Sequence, residues 1–169
     1  EPNKTCTATF TVTPAPVVVL NCPANATEAA CQSQTDINNK FNTWLGTANF
    51  SGGCNAMMSN NSTTAPDHCG GTASVTFTVT SDCEPNKVCT ATFTVTPAPA
   101  VVLTCPINAT EVACQTQAAI DAKFNTWLGT ATFSGGCNGM LSNDNTGPNP
   151  DHCGGSKTVN FTVTSDCEP

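Results

Sequence analysis

The sequence has little charge, and this scarcity excludes several classes of protein. Only 10% of its 169 residues are charged, whereas a typical soluble domain has roughly 25%. The net charge is −7, with five lysine and arginine residues in total, which argues against binding to nucleic acid or to anionic membrane surfaces. The chain also lacks any apolar run approaching the roughly 20 residues that span a bilayer, so we predict no direct membrane insertion.

Common catalytic and metal-binding motifs are missing as well. The sequence has no G-x-S-x-G, phosphate-binding loop or H-E-x-x-H motif. It also has no C-x-x-C pair of the kind that holds zinc. We therefore predict that the chain is not an enzyme, with no catalytic residue, no metal site and no cofactor. Calcium is the one cation left open, because two acidic residues flank Cys83 and two flank Cys167.

Cysteine, by contrast, is abundant, with 12 residues in the chain. Such a density indicates either disulfides in an oxidising compartment or metal sites in a reducing one. Because the paired spacing of a zinc site is missing, disulfides are favoured. The sequence therefore predicts an extracellular protein.

The sequence repeats itself with an offset of 83 residues, which becomes 84 after one residue inserted near Gly147 to Pro150. EPNKTCTATFTVTPAP at 1–16 returns as EPNKVCTATFTVTPAP at 84–99, and KFNTWLGTA at 40–48 returns at 123–131. Such a period indicates an array of similar domains. With TPAP taken as the linker, we predict that 1–16 is the last strand of an upstream repeat, that 17–99 is a complete repeat, and that 100–169 is a further repeat lacking its last strand.

Each repeat shows the alternating pattern of β-strands and one helical segment. CTATFTVT at 6–13 and VTFTVT at 75–80 alternate apolar residues with threonine, as half-buried strands do. In the segment 33–45, apolar residues recur on one face of a helix and Gly46 follows as a stop. The predicted fold class is mainly β, as tandem immunoglobulin-like sandwiches, each with one short α-helix and about three disulfides.

The two tryptophans lie on that helical face, where they could be stacking platforms for a ligand or anchors of the core. Their apolar neighbours favour the core. The predicted core anchors are Ile37, Phe41, Trp44, Leu45, Ile120, Phe124, Trp127 and Leu128.

The complete repeat contains six cysteines, and six cysteines allow fifteen pairings, so the sequence leaves the disulfide connectivity open. Short loops favour local bridges, which also stabilise a small domain by limiting its unfolded chain. The predicted local bridges are Cys22 with Cys31, Cys54 with Cys69, Cys83 with Cys89, Cys105 with Cys114, and Cys137 with Cys153. Cys6 and Cys167 are then expected to pair with a neighbouring repeat.

A Pro-Asp-His-Cys sequence occurs at 66–69 and again at 150–153. Its histidine and cysteine could act as base and nucleophile, or as two metal ligands. Adjacent residues rarely point both side chains at one centre, so a bonded half-cystine beside a loop histidine is the favoured interpretation.

VVLNCPANATEAAC at 18–31 and FTVTSDCEPNKVCTATFTVTPAP at 77–99 resemble the HYR-like, immunoglobulin-related repeats of very large surface proteins of Flavobacteria, in the Bacteroidetes. The resemblance covers the whole chain. It implies export by type IX secretion and display as long cell-surface filaments, some of which are adhesins of gliding motility.

From these features we expect a structural protein, a repeat of an extracellular filament or adhesin stalk that provides rigid span and surface display. Its expected partners are adjacent identical repeats in a long polymer, with lateral self-association as a further option. The alternative is a multivalent module that binds glycans or surfaces through loops such as 52–68.

Overall fold

The computed structural model describes residues 1–62 and 64–168, and they form a mostly β protein with two helices and three disulfides. The predicted β class is thus confirmed at this level. No helix within the described residues is long and apolar enough to cross a membrane. The elements, in chain order, are β1 (Val19–Asn21), β2 (Ala26–Glu28), α1 (Gln34–Leu45), β3 (Asn49–Ser51), β4 (Met57–Asn60), β5 (Gly71–Ser81), β6 (Glu84–Val95), β7 (Val102–Thr104), α2 (Gln117–Leu128), β8 (Thr132–Ser134), β9 (Met140–Asn143) and β10 (Phe161–Thr164).

Corresponding strands of the two repeats pair in the same register. β1 is antiparallel to β3 with Leu20 opposite Phe50, and β7 is antiparallel to β8 with Leu103 opposite Phe133. The pairs β4–β5 and β9–β10 match in the same way. The first repeat, however, has a four-stranded sheet in the order β2-β6-β5-β4, whereas its second-repeat counterpart has only β10 and β9.

Strands β5 and β6 show why the alternating sequence predicts a half-buried sheet. Their apolar residues point inward, with Phe77 0% and Phe93 1% exposed. Their threonines point outward and pair across the strands, with hydroxyl–hydroxyl distances of 3.1 Å between Thr76 and Thr90. The predicted strand at 75–80 is therefore confirmed as part of β5.

The predicted helix is present in both repeats. In α1, the Ser33 hydroxyl accepts from the Asp36 backbone N–H at 3.0 Å and donates to the Asp36 carboxylate at 2.7 Å, a local pairing that satisfies a free N–H of the first turn. In α2, Thr116 caps the first turn by accepting from the Ala119 N–H. The helix ends before Gly129.

The inward face of α1 carries its predicted anchors. Ile37, Phe41 and Trp44 are buried and Leu45 is half-buried. The Trp44 indole N–H donates to the Ala24 carbonyl at 2.7 Å, and its ring lies 5.6 Å from that of Phe93. Trp44 therefore packs inside the protein. In α2, Ile120 is buried, whereas Phe124, Trp127 and Leu128 are half-buried.

The segment at 6–13 differs from its prediction. It was expected to be a strand with one buried face, yet 1–14 contains no strand and is exposed throughout, with Phe10 92% exposed. Its near-identical copy at 89–96 lies largely within β6, between β2 and β5. An alternating sequence forms a ladder only beside partner strands, and 6–13 pairs with none among the described residues.

The chain divides into two compact units whose borders cut across the sequence repeats. Unit 1 comprises 1–26, 38–65 and 72–94, and unit 2 comprises 27–37, 66–71 and 95–169. The two stretches of the first repeat that belong to unit 2 carry Cys31 and Cys69, and both are bonded to cysteines of the second repeat. The predicted boundaries 1–16, 17–99 and 100–169 describe the sequence repeat and stay a prediction.

Candidate functional site

The three disulfides join cysteines that are far apart in sequence. Cys22 bonds to Cys89, Cys31 to Cys137 and Cys69 to Cys167, with separations of 67, 106 and 98 residues. In the chain-entropy model, closing a loop of this size contributes roughly 4–5 kcal/mol when taken alone, compared with about 3 kcal/mol for a loop of about 15 residues. Each bond therefore constrains the unfolded chain more than a local bridge would.

The predicted local bridges are not present in the structure, in which all twelve cysteines are described. Cys22 does not bond to Cys31, Cys54 to Cys69, Cys83 to Cys89, Cys105 to Cys114, or Cys137 to Cys153.

The course of β6 explains one of these corrections. The strand runs from Glu84 without a break past Cys89, and six residues of extended strand span roughly 20 Å. Cys83 and Cys89 therefore cannot meet across a hairpin tip. Cys89 shares the inward parity of Ala91 and Phe93, which is a sequence signal for a partner elsewhere in the fold.

The two cysteines predicted to pair with a neighbouring repeat have different outcomes. Cys6 is free and exposed. Cys167 is bonded to Cys69, so its partner is found in the first repeat of this chain. Together with Cys31–Cys137, this bond covalently joins the two sequence repeats.

A compact hydrogen-bonded platform holds Cys137 and Cys167. The Cys137 N–H donates to Ser165 Oγ at 2.9 Å, and the Asp166 N–H donates to the Cys137 carbonyl at 3.0 Å. Asn138, which has a left-handed φ of 52°, donates its side-chain amide to Asp166 at 2.7 Å. We call this arrangement the Cys137–Cys167 platform.

The first repeat contains the same platform around two cysteines that are not bonded. The Cys54 N–H donates to Ser81 Oγ at 3.1 Å, and Asn55, with φ 51°, donates to Asp82 at 2.8 Å. Hydrogen bonding to the Cys54 thiol is the largest cause that raises the pKa of Cys83. Burial and the nearby carboxylates raise it further.

The opposite side of the Cys69–Cys167 bond is a turn containing Asp, His and Cys. Asp67 Oδ1 accepts from the Cys69 N–H at 2.8 Å, and Gln34 holds the turn by accepting from the His68 N–H at 2.9 Å. The second repeat builds the same turn, with 2.7 Å from the Cys153 N–H to Asp151 and 3.0 Å from the His152 N–H to Gln117.

The two Asp-His-Cys turns test the nucleophile and metal interpretations. Cys153 Sγ lies 3.4 Å from His152 Nε2, and Asp151 lies 3.6 Å from His152 Nδ1. The Cys153 N–H lowers the pKa of Asp151, and the charge of His152 lowers it further. In the first repeat, however, the same turn presents the sulfur of Cys69 in a disulfide. The favoured sequence interpretation, a bonded half-cystine, therefore holds at Cys69, whereas Cys153 is a free thiol.

Two groups of side chains have the proximity of metal ligands, with ligand atoms within 4.8 Å: His68, Cys69 and Cys167, and Asp151, His152 and Cys153. The first group contains two sulfurs of one disulfide, which are not thiolates and bind metals poorly.

As for the calcium option, the Glu84 carboxylate accepts from the Val18 N–H at 2.9 Å and the Asp82 carboxylate accepts from Asn55. Each carboxylate therefore serves a structural hydrogen bond.

The six free cysteines are the repeat counterparts of the six bonded ones. By the repeat offset, Cys6 corresponds to Cys89, Cys54 to Cys137, Cys83 to Cys167, Cys105 to Cys22, Cys114 to Cys31, and Cys153 to Cys69. Local geometry agrees, since Cys31 and Cys114 share the same uncommon φ of 65°. The sequence predicted partners outside the repeat only for Cys6 and Cys167, and short loops favoured local bridges for the other ten cysteines.

The fold and the site together define a β-rich protein whose repeats are crosslinked by disulfides, a chemistry typical of the extracellular space and other oxidising compartments. Comparison with protein-family models, with curated proteins and with solved structures finds no match to this chain.

Proposed function

We propose that the chain is a structural repeat of an extracellular filament or adhesin stalk, in which covalent joints between repeats provide mechanical span. The observation that carries the proposal is the pair of bonds from the first repeat to the second, Cys31–Cys137 and Cys69–Cys167. Two bonds between the same partners restrict rotation as well as separation, which favours a stiff joint over a flexible one.

The outer surface supports the same role. Threonines line the outer face of β5 and β6, where Thr72 pairs with Thr94 and Thr76 with Thr90 at 3.1 Å. Cross-strand threonine pairs stabilise a solvated sheet face without charge. The HYR-like resemblance adds cell-surface display, type IX export and a Bacteroidetes source to the proposal.

Force spectroscopy on single molecules tests the mechanical role. When the chain is pulled from both ends, the shortest covalent path crosses Cys22–Cys89, runs back along the chain to Cys69 and crosses Cys69–Cys167, so that it bypasses residues 23–68 and 90–166. At about 3.3–3.6 Å per residue, roughly 400–440 Å of contour is then locked until a reductant is added. We expect oxidised molecules to resist extension by this length and reduced molecules to release it.

Two variants distinguish the effect of the two inter-repeat disulfides from that of the other cysteines. Replacing Cys31, Cys69, Cys137 and Cys167 with serine leaves only the 67-residue loop of Cys22–Cys89, so the locked contour should fall to roughly 230 Å. Replacing Cys54 and Cys83 with serine is the matched control, because neither is bonded. Equal extension of oxidised and reduced wild-type molecules would contradict the proposal, whereas reproducible glycan-array binding lost on mutation of loop 52–68 would favour the binding module instead.

A further inference from the structure

We infer that the Cys69–Cys167 disulfide is a site of thiol–disulfide exchange, at which a small thiol opens the bond and His68 stabilises the sulfur that departs. Both cysteines and the histidine belong to unit 2 of the fold. The inference adds a chemical activity to one of the two bonds that join the repeats, and it does not require that these bonds carry mechanical load.

The imidazole of His68 lies beside both sulfurs of this bond. Its Nδ1 is 3.6 Å from Cys69 Sγ and 3.9 Å from Cys167 Sγ, and its Nε2 is 3.8 Å from Cys69 Sγ. Histidine is the side chain that most readily gains or loses a proton near neutral pH. The bond therefore has a proton-carrying group in contact with both of its ends.

The turn at 66–69 fixes the imidazole through the backbone. Gln34 Oε1 accepts from the His68 N–H at 2.9 Å, and the side-chain amide of Gln34 donates to the Pro66 carbonyl at 3.1 Å. Asp67 is the other charged residue of the turn, and its Oδ1 accepts from the Cys69 N–H at 2.8 Å. These contacts hold the ring beside the sulfur without involving the disulfide itself.

The second repeat contains the same turn around a sulfur that is not bonded. There, His152 Nε2 lies 3.4 Å from Cys153 Sγ, and Gln117 accepts from the His152 N–H at 3.0 Å. The turn thus brings imidazole and sulfur together in both bonding states of the cysteine. When the bond of Cys69 is broken, we expect His68 to stay beside its sulfur.

The other bond between the repeats, Cys31–Cys137, has different surroundings. Cys137 is 1% exposed, and burial disfavours a thiolate and hinders attack on the sulfur. The chain has only two histidines, and they precede Cys69 and Cys153. Cys69–Cys167 is therefore the disulfide of this chain that has a histidine next to a bonded cysteine in sequence and beside the sulfurs in space.

The exchange is a nucleophilic displacement at sulfur. The thiolate of a small thiol attacks Cys167 Sγ and forms a mixed disulfide there, while the Cys69 sulfur departs with the electron pair as a thiolate. Cys69 is the departing group because both ring nitrogens of His68 lie within 3.8 Å of it. The protonated imidazole stabilises this thiolate by its positive charge, and a more stable thiolate leaves faster.

A second small thiol completes the reaction. Its thiolate attacks the small-thiol sulfur of the mixed disulfide and releases Cys167 as a thiolate, which takes up a proton from water. In total, two small thiols are oxidised to one disulfide, and the protein disulfide is reduced to two thiols.

Exchange at this site changes the connection between the repeats in one step. Cys31–Cys137 stays intact, so the repeats remain covalently joined by one bond instead of two. A single bond limits separation but leaves more freedom of rotation. A small thiol would therefore loosen the joint without cutting the chain of repeats.

The rates at which the three disulfides open test the site in the oxidised chain of 169 residues. The six unbonded thiols are first alkylated with iodoacetamide, so that they do not exchange with the disulfides. After addition of 2-mercaptoethanol under native conditions, samples are quenched with N-ethylmaleimide, and peptide mass spectrometry identifies the labelled cysteines. We expect Cys69 and Cys167 to be labelled before the four cysteines of the other two bonds. Equal rates for the three bonds, or earlier opening of Cys31–Cys137, would overturn the inference.

The variant His68→Gln isolates the role of the imidazole, and His152→Gln is its matched control in the second repeat. In His68→Gln the opening of Cys69–Cys167 should be about three- to tenfold slower, because the departing thiolate loses its positive neighbour. The rate relative to Cys31–Cys137 in the same molecule is the readout, since a general loss of stability speeds both openings. An unchanged ratio in His68→Gln, or an equal change in His152→Gln, would contradict the assignment. Neither result alters the contour length that the oxidised bonds lock, so the mechanical proposal is tested separately.

Discussion

The two repeats of this protein have closely similar sequences but differently covered cores. Phe77 is fully buried in a sheet of four strands, whereas its counterpart Phe161 is half-buried in a sheet of two strands. Phe41 and Trp44 are buried, whereas Phe124 and Trp127 are half-buried. The difference shows that the apolar face of the helix and the hairpin is common to both repeats, and that one additional strand decides whether this face becomes a core.

The sharpest way to break this comparison is to truncate the same phenylalanine in its two copies. Phe93→Ala should cost about 3–5 kcal/mol in the free energy of unfolding, because it empties a packed ring cluster. Phe10→Ala should have almost no effect in dilute solution, since the side chain is exposed. Urea unfolding under non-reducing conditions measures both, and a similar loss in the two variants would contradict the assignment of 6–13 as an unpaired segment.

The tryptophans report the same difference with a smaller effect. Trp44→Phe leaves Trp127 as the only indole, and Trp127→Phe leaves Trp44. Acrylamide should quench the fluorescence of Trp127 more strongly, because it is half-buried and Trp44 is 7% exposed. Equal quenching of the two variants would count against an open second repeat.

The smallest expected effect concerns Cys54 and Cys83, the two cysteines of the first repeat that are not bonded. Hydrogen bonding of the Cys83 thiol to Cys54 raises the pKa of Cys83, so less thiolate is present at pH 8 and alkylation is slower. Cys54→Ala removes that hydrogen bond and should lower the pKa of Cys83. At a pH below the pKa, each unit by which the pKa falls raises the thiolate fraction, and with it the alkylation rate, by up to about tenfold. Iodoacetamide kinetics followed by mass spectrometry measure the rate, with Cys153 as the internal standard. An unchanged rate at Cys83 would show that the two thiols do not interact.

Sequence patterns predicted the parts of the fold that depend on local periodicity. The apolar face at 33–45 and the glycine after it predicted α1, which spans Gln34–Leu45, and the alternation at 75–80 predicted the centre of β5. The same alternation at 6–13 predicted a strand, and that prediction was wrong. An alternating pattern indicates which face of a strand can be buried, but a strand also requires a neighbouring strand with which to pair.

The candidate site was harder to predict because sulfur pairing is a long-range property. Proximity in sequence favoured Cys83 with Cys89, yet the extended course of β6 separates them. The Pro-Asp-His-Cys motif was correctly assigned as a half-cystine at Cys69, but its partner Cys167 lies 98 residues away. The repeat offset could be read from the sequence, but matching the free cysteines to the bonded ones required the three disulfides of the structure.

By itself, the sequence determined that this is a repetitive, cysteine-rich β protein with one helix in each repeat, because composition, offset and periodicity are local properties. Tertiary structure alone decided which cysteines bond and which copy of CTATFTV becomes a core strand. These outcomes depend on which surfaces meet in space, and two identical stretches of chain can differ in that respect while sharing every local preference.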